Sequence, residues 1–538
     1  MTTVTSIATS GSTAWPSTFA SENSEISGAG DGMIASMDLD REACYRAIRA
    51  RDPRFDGRLF TAVITTGIYC RPICPARTPK LENVVFFATA AAAQEAGFRP
   101  CLRCRPECSP DLAAWHGTSN TVSRALALID DGALDGDDRS VDELATRLGI
   151  GERQLRRLFK QHLGASPIAV AQTRRVLFAK QLLHETRMRM VDVALAAGFG
   201  SVRRFNDTFR RLYGRAPSVL RRQKPTTVAG GGASGITLTL SYAPPYDWAA
   251  MIEFLAARAI PEVEVVEPQR YLRTIELDSG CGTIEVAPVA GRHALAATIR
   301  FPNVKTLPAI VGRIRRLFDL GADVGVISAQ LAADPYLAPL VALRPGLRVP
   351  GAWDAFELAV RAILGQQITV GAARRLIGKL VAMYGQPVQP ADTAVHGLTM
   401  LFPRAEHLAA ADLSTLGMPG ARAVALSALA AAQPQLSHTD LDLDATLARV
   451  RTLPGIGEWT AQYIAMRALR DPDAFPAADI GLLRAMSGPD GVRPTAAALL
   501  ARAEAWRPWR AYAAQHLWTS GAALADAAVA PIRHEAVA

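Results

Sequence analysis

Four of the seven cysteines form two closely spaced pairs. Three residues separate Cys70 from Cys74, 26 residues follow, and two residues separate Cys101 from Cys104. Two short-spaced pairs on separate turns allow four sulfurs to converge tetrahedrally on one zinc ion, which keeps cysteine sulfur as the nucleophilic thiolate. Free thiols or disulfides are the alternative, but paired spacings favour a metal site. The remaining three cysteines are expected to be ordinary residues, namely Cys44, Cys108 and Cys281. The sequence therefore predicts a zinc site.

The residues around both pairs resemble the N-terminal domain of the Ada family. The resemblance lies in TTGIYCRPICPAR at residues 65–77 and in AGFRPCLRC at residues 96–104. It implies that Cys70 accepts a methyl group from a DNA methylphosphotriester. Loss of one thiolate charge facing DNA would raise the affinity for DNA, so the domain would be a damage sensor as well as a single-turnover repair protein. A purely structural zinc site is the alternative.

A second group of candidate residues lies in the C-terminal half. Gly455 and Gly457 belong to LPGIGEWTAQY (453–463), between a predicted helix that ends at Leu453 and another that begins near Glu458. This pattern is typical of a helix-hairpin-helix motif, whose glycines expose backbone N–H groups that hold a DNA phosphate without reading sequence. Asp479 follows 22 residues after Gly457, at the start of a further predicted helix. Taken alone, an aspartate at that position is best explained as a helix N-cap.

The hairpin, the loop and the aspartate together resemble the helix-hairpin-helix glycosylases. Further segments resemble the AlkA type, the inducible 3-methyladenine DNA glycosylases: PPYDW (244–248), FLAAR (254–258), RLFDL (316–320), RPGLR (344–348), RAILGQ (361–366) and WRPWR (506–510). The resemblance implies that Asp479 is the catalytic carboxylate. Such a carboxylate stabilises the positive charge that develops on the sugar and orients or deprotonates the attacking water.

The same resemblance implies a pocket for a base flipped out of the duplex. The residues that match it are Trp459, Tyr463, Trp518, Gln366 and Gln367. Alkylated purines are cationic and electron-poor, so aromatic faces favour them, whereas core packing is the alternative explanation for the three aromatics.

The sequence departs from the family pattern at two positions. Gln367 stands where the family has an apolar wedge residue, which makes Ile368 a second candidate for the wedge, and Thr519 replaces a pocket aromatic. Trp459 stands where backbone-cutting members carry lysine, so base excision alone is expected, with no cofactor.

A repeated, strongly basic segment lies between these two regions. Residues 118–224 contain 20 Lys and Arg against 11 Asp and Glu, and so account for the whole net charge of +9. The copies at 141–163 and 190–212 each predict two helices around a glycine turn, with buried stripes of Leu155, Leu158, Phe159 and Leu163 and of Val202, Phe205, Phe209 and Leu212. The pair resembles an AraC-type DNA-binding domain. The arginines expected to reach DNA are Arg153, Arg156, Arg157, Arg203 and Arg204. A helical bundle with solvated arginines is the alternative.

These patterns predict a multidomain protein that is mainly α with α+β parts. The expected order is a disordered tail (1–36), a small Ada-like zinc domain (37–116), an all-α double helix-turn-helix domain (118–224) and a flexible linker (225–235). An α+β lobe (236–325), an all-α helix-hairpin-helix glycosylase domain (326–528) and a tail (529–538) follow. No apolar run is long enough to span a membrane, and no secretory signal is recognised, which predicts a cytoplasmic, nucleoid-associated protein.

The leading hypothesis is a monofunctional glycosylase for 3-methyladenine-type lesions, fused to a methylphosphotriester sensor that binds promoter DNA. We expect double-stranded DNA as the partner of a monomer, with RNA polymerase as a second partner. One alternative is a transcription regulator with a non-catalytic glycosylase-like module. Another is a zinc protein that binds nucleic acid without methyl transfer.

Overall fold

The computed structural model describes residues 41–110, 120–135, 140–221, 235–388, 397–436, 443–488 and 490–529. The predicted N-terminal tail, the linker up to residue 234 and the C-terminal tail from residue 530 lie outside the described residues. Within the described part, no helix is both long and apolar enough to span a bilayer.

The first module is a four-stranded sheet flanked by helices α1 (Arg41–Ala50) and α2 (Ala90–Glu95). Its strands are β1 (Phe60–Val63), β2 (Ile68–Cys70), β3 (Val84–Phe87) and β4 (Arg99–Pro100), in the order β3-β1-β2-β4. Strands β2 and β4 run parallel, with Tyr69 opposite Pro100. Cys70 and Cys101 are the next residues along the chain, so they also lie side by side. The register of the sheet therefore brings the two cysteine pairs together.

Seven helices form the middle of the chain, and they include both predicted helix-turn-helix units. They are α3 (Asn120–Asp130), α4 (Val141–Arg147), α5 (Glu152–Leu163), α6 (Pro167–Glu185), α7 (Met190–Ala196), α8 (Val202–Tyr213) and α9 (Pro217–Leu220). Helices α4 and α5 form the first unit, and α7 and α8 form the second. Each recognition helix ends at a glycine in the left-handed region, Gly164 with φ 68° and Gly214 with φ 65°, where a side chain would be strained.

The predicted apolar stripe is confirmed on α5 apart from Leu158, which is only half-buried, and is partly wrong on α8. Phe205, Phe209 and Tyr213 are the buried residues of α8, whereas Val202 is exposed. Val202 is the first residue of the helix, one turn before Phe205, and so lies at the solvent-facing end. The predicted Leu212 is half-buried and packs against the same core, and Tyr213 is buried beside it.

The third module is an antiparallel five-stranded sheet with two packed helices. Its strands are β5 (Ile236–Ser241), β6 (Glu264–Glu267), β7 (Arg270–Leu277), β8 (Gly280–Pro288) and β9 (Ala294–Arg300), in the order β5-β9-β8-β7-β6. The helices are α10 (Trp248–Arg258) and α11 (Leu307–Leu317). Buried residues of this sheet and of α6 to α8 belong to one continuous hydrophobic cluster. Residues before and after the predicted linker therefore contribute to the same hydrophobic core.

The fourth module is helical and has a core of its own. Its helices are α12 (Val324–Leu331), α13 (Leu337–Leu343), α14 (Ala355–Leu364), α15 (Val370–Tyr384), α16 (Ala405–Ala409), α17 (Gly420–Leu436), α18 (Leu443–Arg451), α19 (Glu458–Arg467), α20 (Ile480–Ala485), α21 (Ala496–Ala503) and α22 (Arg510–Val529). A small strand pair, β10 (Gln386–Pro387) and β11 (Met400–Leu401), accompanies them. A buried ion pair joins the lobes, since Arg273 Nη2 on β7 lies 2.7 Å from Glu357 Oε2 on α14.

Helix α6 connects the first module to the third. The fully buried Lys180 donates from Nζ to the carbonyl oxygen of Cys101 at 2.9 Å and to Glu107 Oε2 at 2.8 Å. One residue further, Gln181 Nε2 donates to the carbonyl oxygen of Thr239 on β5 at 2.9 Å, and the N–H of Thr239 donates to Glu185 Oε2 at 2.9 Å. Helix α6 thus pairs the backbone of edge strand β5 at Thr239 while it holds the loop that carries Cys101.

Glu107 is buried as an anion among several donors. Burial alone would raise the pKa of its carboxyl, but the charge of Lys180, hydrogen bonds from His184 and Lys180, and the charge of Arg105 lower that pKa to about 2. His184 Nδ1 lies 3.3 Å from Glu107 Oε1, and Arg105 Nε donates to the same oxygen at 3.1 Å. The cluster is therefore charged, closely packed and dependent on all of its members.

We expect Lys180→Met to lower the free energy of unfolding by about 3–5 kcal/mol, because it leaves the Glu107 carboxylate buried without its main counter-charge. Urea unfolding of the zinc-loaded protein, followed by circular dichroism, measures the change. The control is Lys160→Met, whose ammonium lies 3.3 Å from Glu95 in an exposed pair and is expected to contribute about 0–1 kcal/mol. Adding Glu107→Gln to Lys180→Met should recover part of the loss. Equal effects of the two methionine variants would contradict this account of α6.

Candidate functional sites: a cysteine cluster and a carboxylate held by two indoles

The four predicted ligand cysteines come together in the first module. Their sulfur atoms all lie within 4.8 Å of one another, and no disulfide joins them. Cys101 and Cys104 are buried, whereas Cys70 and Cys74 are half-buried on the more accessible side. Backbone N–H groups point at two of the sulfurs: Arg103 N lies 3.3 Å from Cys101 Sγ and Arg71 N lies 3.3 Å from Cys104 Sγ. Four convergent sulfurs with amide donors fit a tetrahedral zinc ion.

Arg71 fixes the loop that follows Cys70. Its Nε donates to Asp56 Oδ1 at 2.8 Å, and its Nη1 donates to the carbonyl oxygen of Cys104 at 3.2 Å. Ser109 donates to the same Asp56 oxygen at 3.2 Å. Sequence reasoning noted Arg71 only as part of a motif, because its partner lies 15 residues away and carries no local signal.

Cys108 shows what separates a ligand from an ordinary thiol in this module. It is buried close to the cluster but is not one of its four sulfurs. Burial and the charge of Glu107 raise the pKa of the Cys108 thiol to about 11. Cys108 therefore remains a protonated, unreactive thiol at neutral pH.

Asp479 is the N-cap of α20 and is also bound by two tryptophans. Its Oδ1 accepts from the backbone N–H groups of Gly481 at 2.8 Å and Leu482 at 3.1 Å. The same oxygen accepts from Trp518 Nε1 at 2.8 Å, and Oδ2 accepts from Trp459 Nε1 at 2.8 Å. The prediction that Asp479 is a helix N-cap is thus confirmed, but capping alone does not require two indole donors. All four donors are neutral, so they orient the carboxylate without an opposing charge.

The three predicted pocket aromatics lie against one another beside this carboxylate. Trp459 and Tyr463 are stacked, with ring centroids 5.4 Å apart and an interplanar angle of 11°. Trp518 meets Tyr463 edge-on at 6.3 Å and 66°. All three are half-buried, so they are not simple core residues. The aromatic cluster offers π-faces to a ligand directly next to Asp479.

The hairpin between α18 and α19 has the glycine requirements that its sequence suggests. Gly455 has φ 73°, and a Cβ there would lie 2.7 Å from the Cβ of Ala425. Gly457 is exposed at the N-cap of α19, and a Cβ there would meet no atom within 4 Å. Close packing therefore demands glycine at 455, while the bare backbone at 457 leaves the helix N-terminus accessible to a phosphate.

The two glutamines have different positions. Gln366 braces the hairpin, since its Nε2 donates to the carbonyl oxygen of Gly455 at 2.8 Å and to Thr460 Oγ1 at 3.0 Å. Gln367 is exposed, with a left-handed φ of 57°, and the neighbouring Ile368 is exposed as well. The protruding tip thus consists of Gln367 and Ile368.

Sequence reasoning missed two arginines behind Tyr463. Arg467 Nη1 donates to the Tyr463 hydroxyl oxygen at 2.6 Å, and the guanidinium of Arg258 on α10 acts electrostatically on the same hydroxyl. Burial alone would raise the pKa of Tyr463, but the charges and hydrogen bonds of Arg467 and Arg258 lower it below its ordinary value. Arg258 appeared only within the FLAAR segment, and nothing local connects it to a residue 205 positions later.

The predicted DNA-contacting arginines form a separate site on the recognition helices. All five are exposed: Arg153, Arg156 and Arg157 on α5, and Arg203 and Arg204 on α8. Arg156 Nε donates to Glu152 at 2.8 Å, and Arg203 lies 3.8 Å from Asp207. Both pairs are exposed and weak, so these arginines can exchange their partners for phosphates.

Three family models match this chain in the expected order. The metal-binding domain of Ada matches residues 43–107, a helix-turn-helix domain matches residues 144–223, and the AlkA N-terminal domain matches residues 237–354. With the first match, the four cysteines are the zinc site of the N-terminal domain.

Similar proteins cover the whole or part of the chain. A probable bifunctional transcriptional activator/DNA repair enzyme AlkA of Mycobacterium tuberculosis is 43% identical over 492 residues, which cover 90% of this chain and 97% of that protein. DNA-3-methyladenine glycosylase 2 of Escherichia coli is 36% identical over 286 residues, 52% of this chain and 96% of that protein. The bifunctional transcriptional activator/DNA repair enzyme Ada of Escherichia coli is 36% identical over 155 residues, 29% of this chain and 42% of that protein. This chain therefore belongs to the family of bifunctional transcriptional activators and DNA repair enzymes that join Ada-type and AlkA-type domains.

Proposed function

We propose that this DNA repair enzyme and activator excises alkylated purines of the 3-methyladenine type from duplex DNA, with Asp479 as its catalytic carboxylate. The observation that carries the proposal is the Asp479 carboxylate, bound by two indole and two backbone N–H groups at the edge of a half-buried aromatic cluster. We further propose that Cys70 accepts a methyl group from a DNA methylphosphotriester. The division into modules at the boundaries given above is part of the same proposal.

Base excision begins when the damaged nucleotide leaves the helix. The exposed tip at Gln367 and Ile368 fills the gap, and the hairpin glycines hold a backbone phosphate. The flipped base stacks against the aromatic cluster, whose π-faces favour a cationic purine. The hydrogen bond from Gln366, which follows α14, to the carbonyl oxygen of Gly455 links the pocket to the hairpin.

The bond between C1′ and the base nitrogen then breaks, and its electron pair leaves with the base. The Asp479 carboxylate stabilises the sugar cation and orients a water, whose oxygen bonds to C1′ while its proton is taken up by the carboxylate. The products are the free base and an abasic site. Trp459 offers no amine to attack C1′, so the DNA backbone remains uncut.

Methyl transfer uses the accessible side of the cysteine cluster. Bound zinc keeps the cysteine sulfurs ionised at neutral pH. The Cys70 sulfur attacks the methyl carbon of the phosphotriester, so that a sulfur–carbon bond forms, the carbon–oxygen bond breaks and a phosphodiester anion leaves. The transfer removes one negative charge from the cluster. Because repulsion from DNA falls, the methylated protein binds DNA more tightly.

The exposed arginines of α5 and α8 then hold the protein on promoter DNA. Two recognition helices in one chain supply the two major-groove contacts that other regulators obtain by dimerising, which supports action as a monomer. We infer that the promoter-bound, nucleoid-associated form contacts RNA polymerase, as an activator of transcription does.

Asp479→Asn is expected to lower the release of 3-methyladenine from methylated duplex DNA by at least about 10²–10³-fold, because the neutral amide no longer stabilises the sugar cation. The amide oxygen can still cap α20, but the amide nitrogen would face the Trp459 indole N–H, so two donors oppose each other. Base release is measured by chromatography under single-turnover conditions.

The control is Asp354→Asn, which makes the same change at the N-cap of α14 and should release base at the wild-type rate. Normal release by Asp479→Asn would show that the carboxylate is only a cap. No release by folded, DNA-binding wild type would make the C-terminal half a binding module of a regulator.

Incubation with DNA that carries methylphosphotriesters should add one methyl group to Cys70, located by peptide mass spectrometry of the zinc-loaded protein. Cys70→Ser should abolish the transfer, since a serine hydroxyl is not ionised at neutral pH, whereas Cys108→Ser should accept methyl normally because Cys108 is not in the cluster. A methyl group on another cysteine would refute the assignment, and no transfer at all would leave the zinc site purely structural.

Arg203→Ala should weaken promoter binding and reduce the slope of log affinity against log salt by about 1, because each phosphate contact releases about one counter-ion. Fluorescence anisotropy at several salt concentrations measures the slope. Arg292→Ala is the control, since this exposed arginine lies on the hairpin between β8 and β9, far from α8 in the chain. An unchanged slope for Arg203→Ala would remove α8 from the DNA interface.

A further inference from the structure

Two guanidinium groups lie behind the aromatic cluster with no carboxylate partner among the described residues. Arg467 is buried, and the surroundings of Arg258 are apolar enough that burial lowers its pKa. Buried cations are normally paired with anions, because an isolated buried charge is costly. Their shared polar neighbour here is the hydroxyl of Tyr463. Two buried positive charges without a carboxylate partner are unfavourable for stability, which suggests that they have a functional role.

The rest of each arginine is held firmly in place. Arg467 Nε and Nη2 donate to the carbonyl oxygens of Pro350 and Gly351, both at 2.9 Å. Both guanidinium groups lie over the ring of Phe254, at 3.8 Å for Arg258 and 4.7 Å for Arg467. The two groups come from different lobes, α10 and α19, so the junction of the lobes fixes their position.

The hydrogen-bond capacity of the Tyr463 hydroxyl fixes its role. A guanidinium group has no acceptor, so the Tyr463 oxygen accepts from Arg467, and the charge of Arg258 lies close to the same hydroxyl. The O–H of Tyr463 therefore points away from the arginines, and Tyr463 is half-buried rather than sealed in the core. The hydrogen bond from Arg467 and the two positive charges make the proton of this hydroxyl more acidic, in agreement with the lowered pKa of Tyr463.

The aromatic cluster is thus polarised from end to end. Its indole N–H groups bind the Asp479 carboxylate, and its phenol hydroxyl lies against two cations. A nucleotide whose sugar lies at the carboxylate has its base against the aromatic cluster, with one edge toward the Tyr463 hydroxyl. The negative end then faces the sugar, where positive charge develops, and the polarised O–H is available to the base, which receives the bonding electrons.

We propose that Tyr463 donates a hydrogen bond to the departing base, and that Arg258 and Arg467 are positioning residues that orient and strengthen this donor. The proposal rests on the excision reaction assigned above to Asp479. As the bond from C1′ to the base nitrogen breaks, its electron pair moves onto the base, and the Tyr463 O–H stabilises the added negative charge without transferring its proton.

This role gives the pocket a preference that stacking alone does not give. A cationic alkylated purine becomes neutral as it leaves, so it needs little help from a donor. A neutral purine leaves with a developing negative charge and depends strongly on one. The Tyr463–arginine unit therefore extends excision to uncharged purines, whereas aromatic stacking favours charged ones.

The test compares two bases within each variant under single-turnover conditions. Duplex DNA with deoxyinosine supplies a neutral base, and duplex DNA with N7-methyldeoxyguanosine supplies a cationic one. Arg258→Met keeps most of the side-chain stem but removes the charge, and we expect its rate loss to be at least about tenfold larger for the neutral base, which corresponds to about 1.4 kcal/mol. Arg258→Lys, which keeps a charge and a donor, should restore part of the selective loss.

A double-mutant comparison separates positioning from simple structural damage. Tyr463→Phe should show the same selective loss, and adding Arg258→Met to it should change the ratio of the two rates by less than about twofold, because the hydroxyl on which Arg258 acts is already absent. Equal losses for both bases, additive effects in the double variant, or no release of the neutral base by wild type would overturn the proposal. Asp479→Asn serves as the separate check, since retention of both activities there would refute the excision mechanism itself.

Discussion

The architecture depends on one buried ammonium group. Lys180 lies where the zinc-binding loop, the helix between the two DNA-binding units and the glycosylase sheet meet, and it binds a carbonyl of the loop and a carboxylate at once. Within the next five residues the same helix hydrogen-bonds edge strand β5. Helix α6 is continuous over 19 residues and contains no break that could absorb a movement. A shift of the zinc-binding loop would therefore be transmitted through α6 to the DNA-binding units and to the sheet. Sensor and glycosylase lobe therefore share one rigid support.

The modules of this chain also contact one another directly. The second helix-turn-helix unit and the five-stranded sheet share a hydrophobic cluster, and Arg58 of the zinc module forms an ion pair with Asp323 at the start of α12. Independent modules on a tether would bury neither contact. If the recognition helices occupy a promoter as proposed, these contacts would hold the glycosylase lobe in a defined orientation to the same DNA.

Local spacing carried most of what the sequence predicted. The cysteine pairs, the duplicated units and the Pro-Gly-Ile-Gly hairpin each lie within a short stretch, where residue type and register decide the outcome. The ends of α5 and α8 and the start of α19 agree with the sequence prediction to within one residue. The residues that were missed depend on contacts between distant segments. Arg258 and Arg467 meet only because two lobes pack, and Gln366 turns to the hairpin only because Gly455 presents a carbonyl. Tyr213, which was not predicted as a core residue, joins a cluster that includes residues of the third module. Patterns of hydrophobicity do not record such partners.

The two proposed reactive groups, Cys70 and Asp479, both have to act as anions next to a polyanion, and the surroundings of the two sites differ. Zinc would offset the charge of the four sulfurs, so that removing one negative charge would act as a signal. Neutral indole and amide donors bind the Asp479 carboxylate and, among the described residues, leave its charge without a cationic partner. An arginine in their place would bind the carboxylate more strongly and cancel the field that the sugar cation needs. Placing the arginines on the far side of the aromatic cluster instead lets both charges act on the same bond, one on the sugar and one on the base.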